Sequence, residues 1–183
     1  GAALALGMQE TLSNIFSGLQ LILSRQIRIG DYVRMAEGEE GKVADINFRF
    51  TTVQTLSGNT VIVPNQKLAS SILTNYDMPA QEIAVSVPVG VSYASDLDHV
   101  ERVTLEVANE VMKAFDHGVE SDPAVRFHTF GDSAIEFNVV LRTSSFVNQF
   151  LLKHEFIKAL TRRYREEGID IPFPVRTIVQ AKE

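Results

Sequence analysis

Few residues in this chain are spaced to do chemistry. The four histidines, His99, His117, His128 and His154, are scattered, and none falls in HExxH or another close metal-ligand spacing. The chain has no cysteine. That removes thiolate chemistry and a disulfide framework, and with scattered histidines it argues against a zinc centre. Asp96 and Asp98 are a carboxylate pair, but they fall at a predicted helix start. Free backbone N–H groups and the helix dipole stabilise negative charge there, so capping is the preferred reading. GxSxG, a P-loop and GxGxxG are all missing. Ser133, in GDSAIEF, reads as a hairpin residue rather than a nucleophile. The expectation is a protein that is not an enzyme, with no cofactor and no bound metal.

Charge narrows the partners. Lys and Arg number 17 against 23 Asp and Glu, a net −6. Nucleic-acid affinity depends on clustered cations that neutralise phosphates, so no nucleic-acid partner is expected. One small basic flank stands out, Arg25-Gln26-Ile27-Arg28 with Arg34 beyond. It follows an almost uncharged helix, since Glu10 is the one charged residue between Gly1 and Ser24. A solvated helix end is one reading. The preferred one is a cytoplasmic membrane boundary at Arg25 and Arg28, where basic side chains are enriched and snorkel.

The elements that position these groups follow from periodicity. The composition, 45% hydrophobic and 22% charged over 183 residues, is ordinary for a globular chain of one domain or two small ones. Residues 1–24 are helical: Leu4, Met8, Leu12, Ile15, Leu19 and Ile22 make one apolar stripe at three- and four-residue steps. The other side carries Ala2, Leu6, Gln9, Ser13, Ser17 and Gln20. The chain starts inside this run without a basic leader or a cleavage-like site, which reads as a fragment beginning partway along a helix and not as a signal peptide.

Residues 29–77 read as four or five short strands, in a small closed or nearly closed barrel. DYVRM, GKVADINFRFTTVQTL, NTVIV and SILTNY are β-branched and alternating. Ala44, Ile46, Phe48 and Phe50 are expected on one face, with Asp45, Asn47 and Arg49 on the other. Ser57-Gly58-Asn59 marks a turn, and Pro64-Asn65 should interrupt the last strand pair.

Residues 78–174 change rhythm to β-α-β-β-α, and FPVRTIVQ adds a last strand, the order of a ferredoxin-like split βαβ unit. Ser95, three residues before Asp98, looks like a capping-box start. Leu97, Val100, Val103, Val107, Val111 and Phe115 give one helix stripe. A second helix over Val147–Glu167 turns Leu152, Phe156, Ala159 and Leu160 inward and ends at Gly168. The class is α+β.

Four stretches in order, SNIFSGLQLILSRQIRIGDYV, EGKVADINFRFTTVQT, GNTVIVPN and GIDIPFPVRTI, resemble the small-conductance mechanosensitive channel (MscS) family. The resemblance runs the length of the chain. It implies a homoheptamer in the cell (inner) membrane, multi-pass in the full-length protein, whose partners are membrane lipid and permeating ions and small solutes. It implies the inner half of a pore-lining helix and an interfacial helix at 1–24, an Sm-like β-barrel domain at 29–77 and a ferredoxin-like α/β domain at 78–174. Residues 175–183 would supply one C-terminal strand of an oligomeric barrel, and residues after about 25 would be cytoplasmic.

On that reading Ala2, Leu6, Gln9 and Ser13 line the pore, and Gly1, Ala3, Ala5 and Gly7 allow close helix packing. A ring of leucines at one level gates by dewetting. The lower family leucine falls at Leu6, but the upper falls at Ala2. The family's kink glycine falls at Glu10, leaving Gly7, Glu10 and Asn14 as the kink and inner-mouth residues. The expected function is an ion channel opened by membrane tension, releasing ions and small solutes on hypo-osmotic shock. The alternative is an Sm-like/ferredoxin-like binding module for RNA or a small ligand, because fold alone does not fix function.

Overall fold

The computed structural model describes residues 2–115, 119 and 121–176, with the backbone alone for residues 2–6. The chain divides into two compact units, Gly1–Gln81 and Glu82–Glu183.

The first unit opens with helix α1, Ala2–Ser24. Strands β1 (Tyr32–Met35), β2 (Glu40–Ile46), β3 (Phe50–Gln54) and β4 (Thr60–Pro64) follow, then a short helix α2 (Asn65–Ser70) and strand β5 (Leu73–Asn75). All pairings are antiparallel, in the order β4-β3-β2-β1-β5. Val33, Met35, Val43, Val53, Val63 and Leu68 form the core together with Leu21 of α1 and Ile27.

The expected face pattern at residues 44–50 is wrong. A bulge between Val43 and Asp45 shifts the register, so Val43 points inward while Ala44 is exposed. The chain then turns at Asn47–Arg49. The Asn47 side-chain oxygen accepts hydrogen bonds from the Arg49 and Phe50 amides at 3.2 and 3.1 Å. Phe48 is left exposed on that turn. The long run GKVADINFRFTTVQTL is therefore two strands and a turn. Pro64 lies on the outer strand β4, paired with Phe50, where its missing N–H costs no ladder bond.

The second unit contains β6 (Ile83–Val91), α3 (Leu97–Phe115), β7 (Ala124–Phe130), β8 (Ile135–Thr143) and α4 (Asn148–Glu167). The sheet order is β6-β8-β7, antiparallel throughout. Strand β8 thus lies between the two strands that α3 connects, which is the split βαβ arrangement. Ile135, Phe137, Val139 and Leu141 alternate into the core against Val100, Val107, Leu152 and Phe156.

The cap of α3 is Asp96 and not Ser95: its Oδ1 accepts from the Asp98 and His99 amides at 3.0 and 3.3 Å. Gly168 ends α4 with φ 68°, and the Ile169 amide returns to the Tyr164 carbonyl at 2.9 Å. No strand is assigned at Phe173–Arg176, and residues 177–183 of the expected last strand lie outside the described residues.

Tyr164 joins this core as a residue the periodicity reading missed. It is buried, and its hydroxyl shares a hydrogen bond with Thr104 of α3. Burial pushes its phenol up to about 12, offset in part by the Thr104 bond. A tyrosine in the unfolded chain ionises near 10. The unfolded state therefore loses its proton first, and stability from this group is complete below pH 10 and falls as pH rises toward 12. Urea unfolding of wild type and Tyr164→Phe across this window should show a wild-type-specific decline of about 2 kcal/mol. Parallel curves for the two proteins would contradict the assignment.

Candidate functional site

Helix α1 carries three faces, not the two that periodicity suggests. The first is apolar and exposed: Met8, Leu12, Phe16, Leu19, Ile22 and Leu23 turn away from the domain, Phe16 at 67% and Leu23 at 72% exposure. A helix of a water-soluble unit normally buries such a stripe. The second face holds Gln9, Ser13, Ser17 and Gln20. The third is a narrow seam of Asn14, Gly18 and Leu21, spaced at four and three residues, and it alone is buried among the described side chains of the helix.

The seam is built from hydrogen bonds and a close backbone approach. Asn14 Nδ2 donates to the Glu10 carbonyl at 2.9 Å, and its Oδ1 accepts from the Gln66 amide in the first turn of α2 at 3.0 Å. Asn65 is fully buried beside it. Its Nδ2 donates to the Asn47 carbonyl at 2.8 Å, and its Oδ1 accepts from Thr51 Oγ1 at 2.9 Å. The Asn65 amide donates to the Arg49 carbonyl at 3.0 Å. One amide side chain thus ties α2 to β3 and to the Asn47–Arg49 turn. Gly18 lies against it: a Cβ there would overlap Asn65 Nδ2 and come within 3.2 Å of the Asn47 and Phe48 carbonyl oxygens.

Below the seam the chain leaves α1 through Arg25, in the left-handed region at φ 53°. A turn over Arg28–Asp31 follows. Asp31 Oδ2 accepts from the Arg28 amide at 2.9 Å and from Asn75 Nδ2 at 2.7 Å, and Asn75 also donates to the Gln26 carbonyl at 3.1 Å. Asp77 caps the Tyr32 amide. The Gly30-Asp31 step seen in the sequence is therefore the device that fixes the helix-to-sheet junction.

The expected site residues are distributed as follows. Gln9 and Glu10 are exposed, Ser13 is half-buried, and Gly7 has open space where a Cβ would stand. Asn14, expected at an inner mouth, is engaged in the seam. Arg25 and Arg28 are exposed and enter no ion pair among the described residues. Ala2, Ala3, Ala5 and Leu6 belong to α1, but their side chains lie outside the described ones, and Gly1 lies outside the described residues altogether. Gly18 and Asn65 were not singled out as site residues. The signal for Gly18 was a glycine inside a long helix, where it costs stability unless packing requires it.

The histidines serve as neighbours to charges rather than as ligands. His99 Nε2 lies 3.6 Å from Glu167 and His154 Nε2 lies 3.8 Å from Glu155. His128 Nδ1 pairs with Thr129 Oγ1 at 2.7 Å, and His117 falls outside the described residues. Ser133 accepts the Val175 amide at 3.0 Å, so it holds the C-terminal segment to the β7–β8 turn. Among the described residues no group of acidic, His or Cys side chains could hold a metal, and no helix is long and apolar enough to cross a membrane.

The first unit is a five-stranded β unit entered by a helix whose apolar face is exposed, and the second is a split βαβ unit. Residues 10–78 match the family model of the mechanosensitive ion channel β-domain, and residues 85–171 match that of the C-terminal domain of the mechanosensitive ion channel MscS. The chain belongs to the MscS family.

A Synechocystis MscS family protein is 30% identical over 176 residues, 96% of this chain and 57% of that protein. The small-conductance mechanosensitive channel MscMJ of Methanocaldococcus jannaschii is 27% identical over 191 residues, 100% of this chain and 52% of that protein. The closed-state crystal structure of Helicobacter pylori MscS superposes with a TM-score of 0.72 at 24% identity, covering 100% of this chain and 70% of that one. The chain thus spans little more than half the length of these two curated relatives.

Proposed function

We propose that this chain is the pore-proximal and cytoplasmic part of a homo-oligomeric, heptameric channel opened by membrane tension, which releases ions and small solutes on hypo-osmotic shock. The observation that carries the reading is the inverted packing of α1. Its apolar face turns outward while a polar and glycine seam is buried on the β unit, an arrangement suited to lipid or neighbouring helices on the outer side. Tension favours whichever state occupies more membrane area, so opening needs only a difference in area between two states. The seam at Asn14, Gly18 and Asn65 is then the joint through which a moving α1 acts on the β unit. An RNA-binding or ligand-binding module leaves the outward face of α1 without a role. The test is survival of cells lacking osmotic release channels. Expression of the full-length protein should restore survival after downshock, and lysis at the rate of the empty-vector control would count against the proposal.

In this reading Leu6 forms the constriction, with Ala2 above it, and Gly1, Ala3, Ala5 and Gly7 face sister helices. Glu10, exposed one turn further on, places one carboxylate per subunit near the inner mouth. A ring of carboxylates raises the local cation concentration. Glu10→Gln is therefore expected to move the reversal potential in a salt gradient toward the anion side, and an unchanged potential would remove Glu10 from the permeation path. By resemblance to the family, residues 175–183 would supply one strand of a barrel shared with sister subunits. Their deletion should shift the full-length protein toward smaller species in native mass spectrometry, whereas intact heptamers would contradict that role.

A further inference from the structure

Where the start of α3 meets the end of α4, five side chains close a loop. Arg102 Nη2 lies 2.7 Å from His99 Nδ1, and Arg102 Nη1 lies 3.9 Å from Glu106 Oε1. Glu106 Oε2 accepts from Arg163 Nη2 at 2.9 Å, and Arg163 Nε donates to Glu167 Oε1 at 3.1 Å. Glu167 Oε2 lies 3.6 Å from His99 Nε2, which completes the circuit. His99, Arg102 and Glu106 stand on α3, and Arg163 and Glu167 on α4. The two guanidinium groups and the two carboxylates cancel, so the loop is neutral when His99 is neutral.

A guanidinium has N–H donors and no acceptor. Arg102 therefore needs Nδ1 as its acceptor, which leaves the single imidazole proton on Nε2, toward Glu167. In this form the hydrogen bond of His99 stays within α3, and its contact with α4 is too long to be one. A second proton reverses both. Nδ1–H then faces Arg102 donor to donor and cation to cation, and Arg102 must swing away, with Glu106 the carboxylate beside it. The imidazolium gains Glu167 as a charge-assisted partner across the helix pair. The other charged groups at this end are Asp96 and Asp98 at the start of α3 and Asp170 just past α4. Asp96 accepts from the His99 amide at 3.3 Å, and Arg163 is committed to Glu106 and Glu167.

We propose that His99 is a proton-operated latch: neutral, it accepts from Arg102 inside α3, and protonated, it releases Arg102 and ties α3 to Glu167 of α4. Histidine is the side chain whose charge changes between about pH 5 and 8, so the latch closes on mild acidification. What it holds is the end of α4 and the segment beyond. That end is otherwise fixed by the Ile169 amide on the Tyr164 carbonyl at 2.9 Å and by the Ser92 amide on the Asp170 carbonyl at 3.1 Å. On the buried side of the same helix pair, Tyr164 bonds Thr104, and its phenol, pushed up to about 12, keeps its proton throughout this range. The inference stands on the second unit alone and does not depend on the channel reading.

The test is hydrogen exchange of the full-length protein, read at the Ile169 and Ser92 amides and corrected for the intrinsic effect of pH. Protection at both should rise about fivefold from about pH 8 to about pH 5.5, the effect of one partly exposed ion pair. His99→Gln and Glu167→Gln should each abolish the rise. Arg102→Gln should keep the rise and start it at higher pH, because the cation that competes with the second proton is gone. All three side chains are partly exposed, so the variants are expected to fold. A flat wild-type profile, a rise that survives His99→Gln or Glu167→Gln, or an Arg102→Gln profile that starts at the wild-type pH would overturn the latch.

Discussion

Asn65→Leu is expected to cost about 4 kcal/mol of stability, read as a fall in the urea midpoint of the β unit's unfolding. Leucine fills a similar volume but answers neither polar neighbour. The Thr51 hydroxyl, itself buried, would lose its acceptor, and the Asn47 carbonyl would lose its donor. Each buried group left unsatisfied costs about 1–3 kcal/mol.

Asn65→Asp gives a sharper form of the same test. A carboxylate can still accept from Thr51, but it faces the Asn47 carbonyl with no proton to offer. A protonated carboxyl can donate there, so burial and that hydrogen bond both raise the folded-state pKa. The sign follows from linkage: the folded variant binds its proton more tightly than the unfolded one, so stability is greatest in acid and falls as pH rises. Asn65→Asp should therefore lie closer to wild type in acid than at neutral pH. A deficit independent of pH would show that Asn65 does not make the bond to Asn47.

Gly18→Ala is expected to lower stability by about 2 kcal/mol, although alanine is the better helix former by about 1 kcal/mol. Propensity and packing predict opposite signs here, and the distances decide. The atoms a Cβ would meet are Asn65 Nδ2 and two backbone carbonyl oxygens, none of them the free end of a flexible side chain. The turn that carries those carbonyls is braced by Asn47, and Asn65 is braced on both sides. The helix is what must move. It then loses the Asn14–Gln66 bond and part of the burial of Leu21. Amide exchange at Gln66 reports this directly, since its N–H donates to Asn14 Oδ1. Exchange should quicken in Gly18→Ala with protection of the β2–β3 core retained. A stabilised variant with Gln66 still protected would mean that α1 does not dock through Gly18.

Most of the architecture was legible as rhythm. Alternation marked the strands of both units, and Gly168 and the Ser57–Asn59 turn sit where their residue types demand. The failures share a cause: side-chain hydrogen bonds that replace regular backbone pairing leave no periodic trace. The bulge at Ala44 reverses a face pattern that alternation alone would extend. Asn47 bends the chain inside an apolar run that reads as one strand. Asn65 begins a helix too short to show a stripe. The Asp96 cap competed with an equally well-spaced Ser95.

The candidate site was half legible. Periodicity found the apolar stripe of α1 and the basic pair Arg25 and Arg28. It could not show that the buried side of the helix is the seam of Asn14, Gly18 and Leu21, because a close approach through glycine needs no hydrophobic signature.

The central claim is that tension opens a pore built on α1. The most direct measurement is patch-clamp recording of the purified full-length protein in vesicles free of other proteins, with suction raised stepwise. The account predicts discrete current steps that appear above a reproducible tension and vanish on release. Membranes that stay silent up to rupture, with the protein verified as inserted and oligomeric, would contradict it.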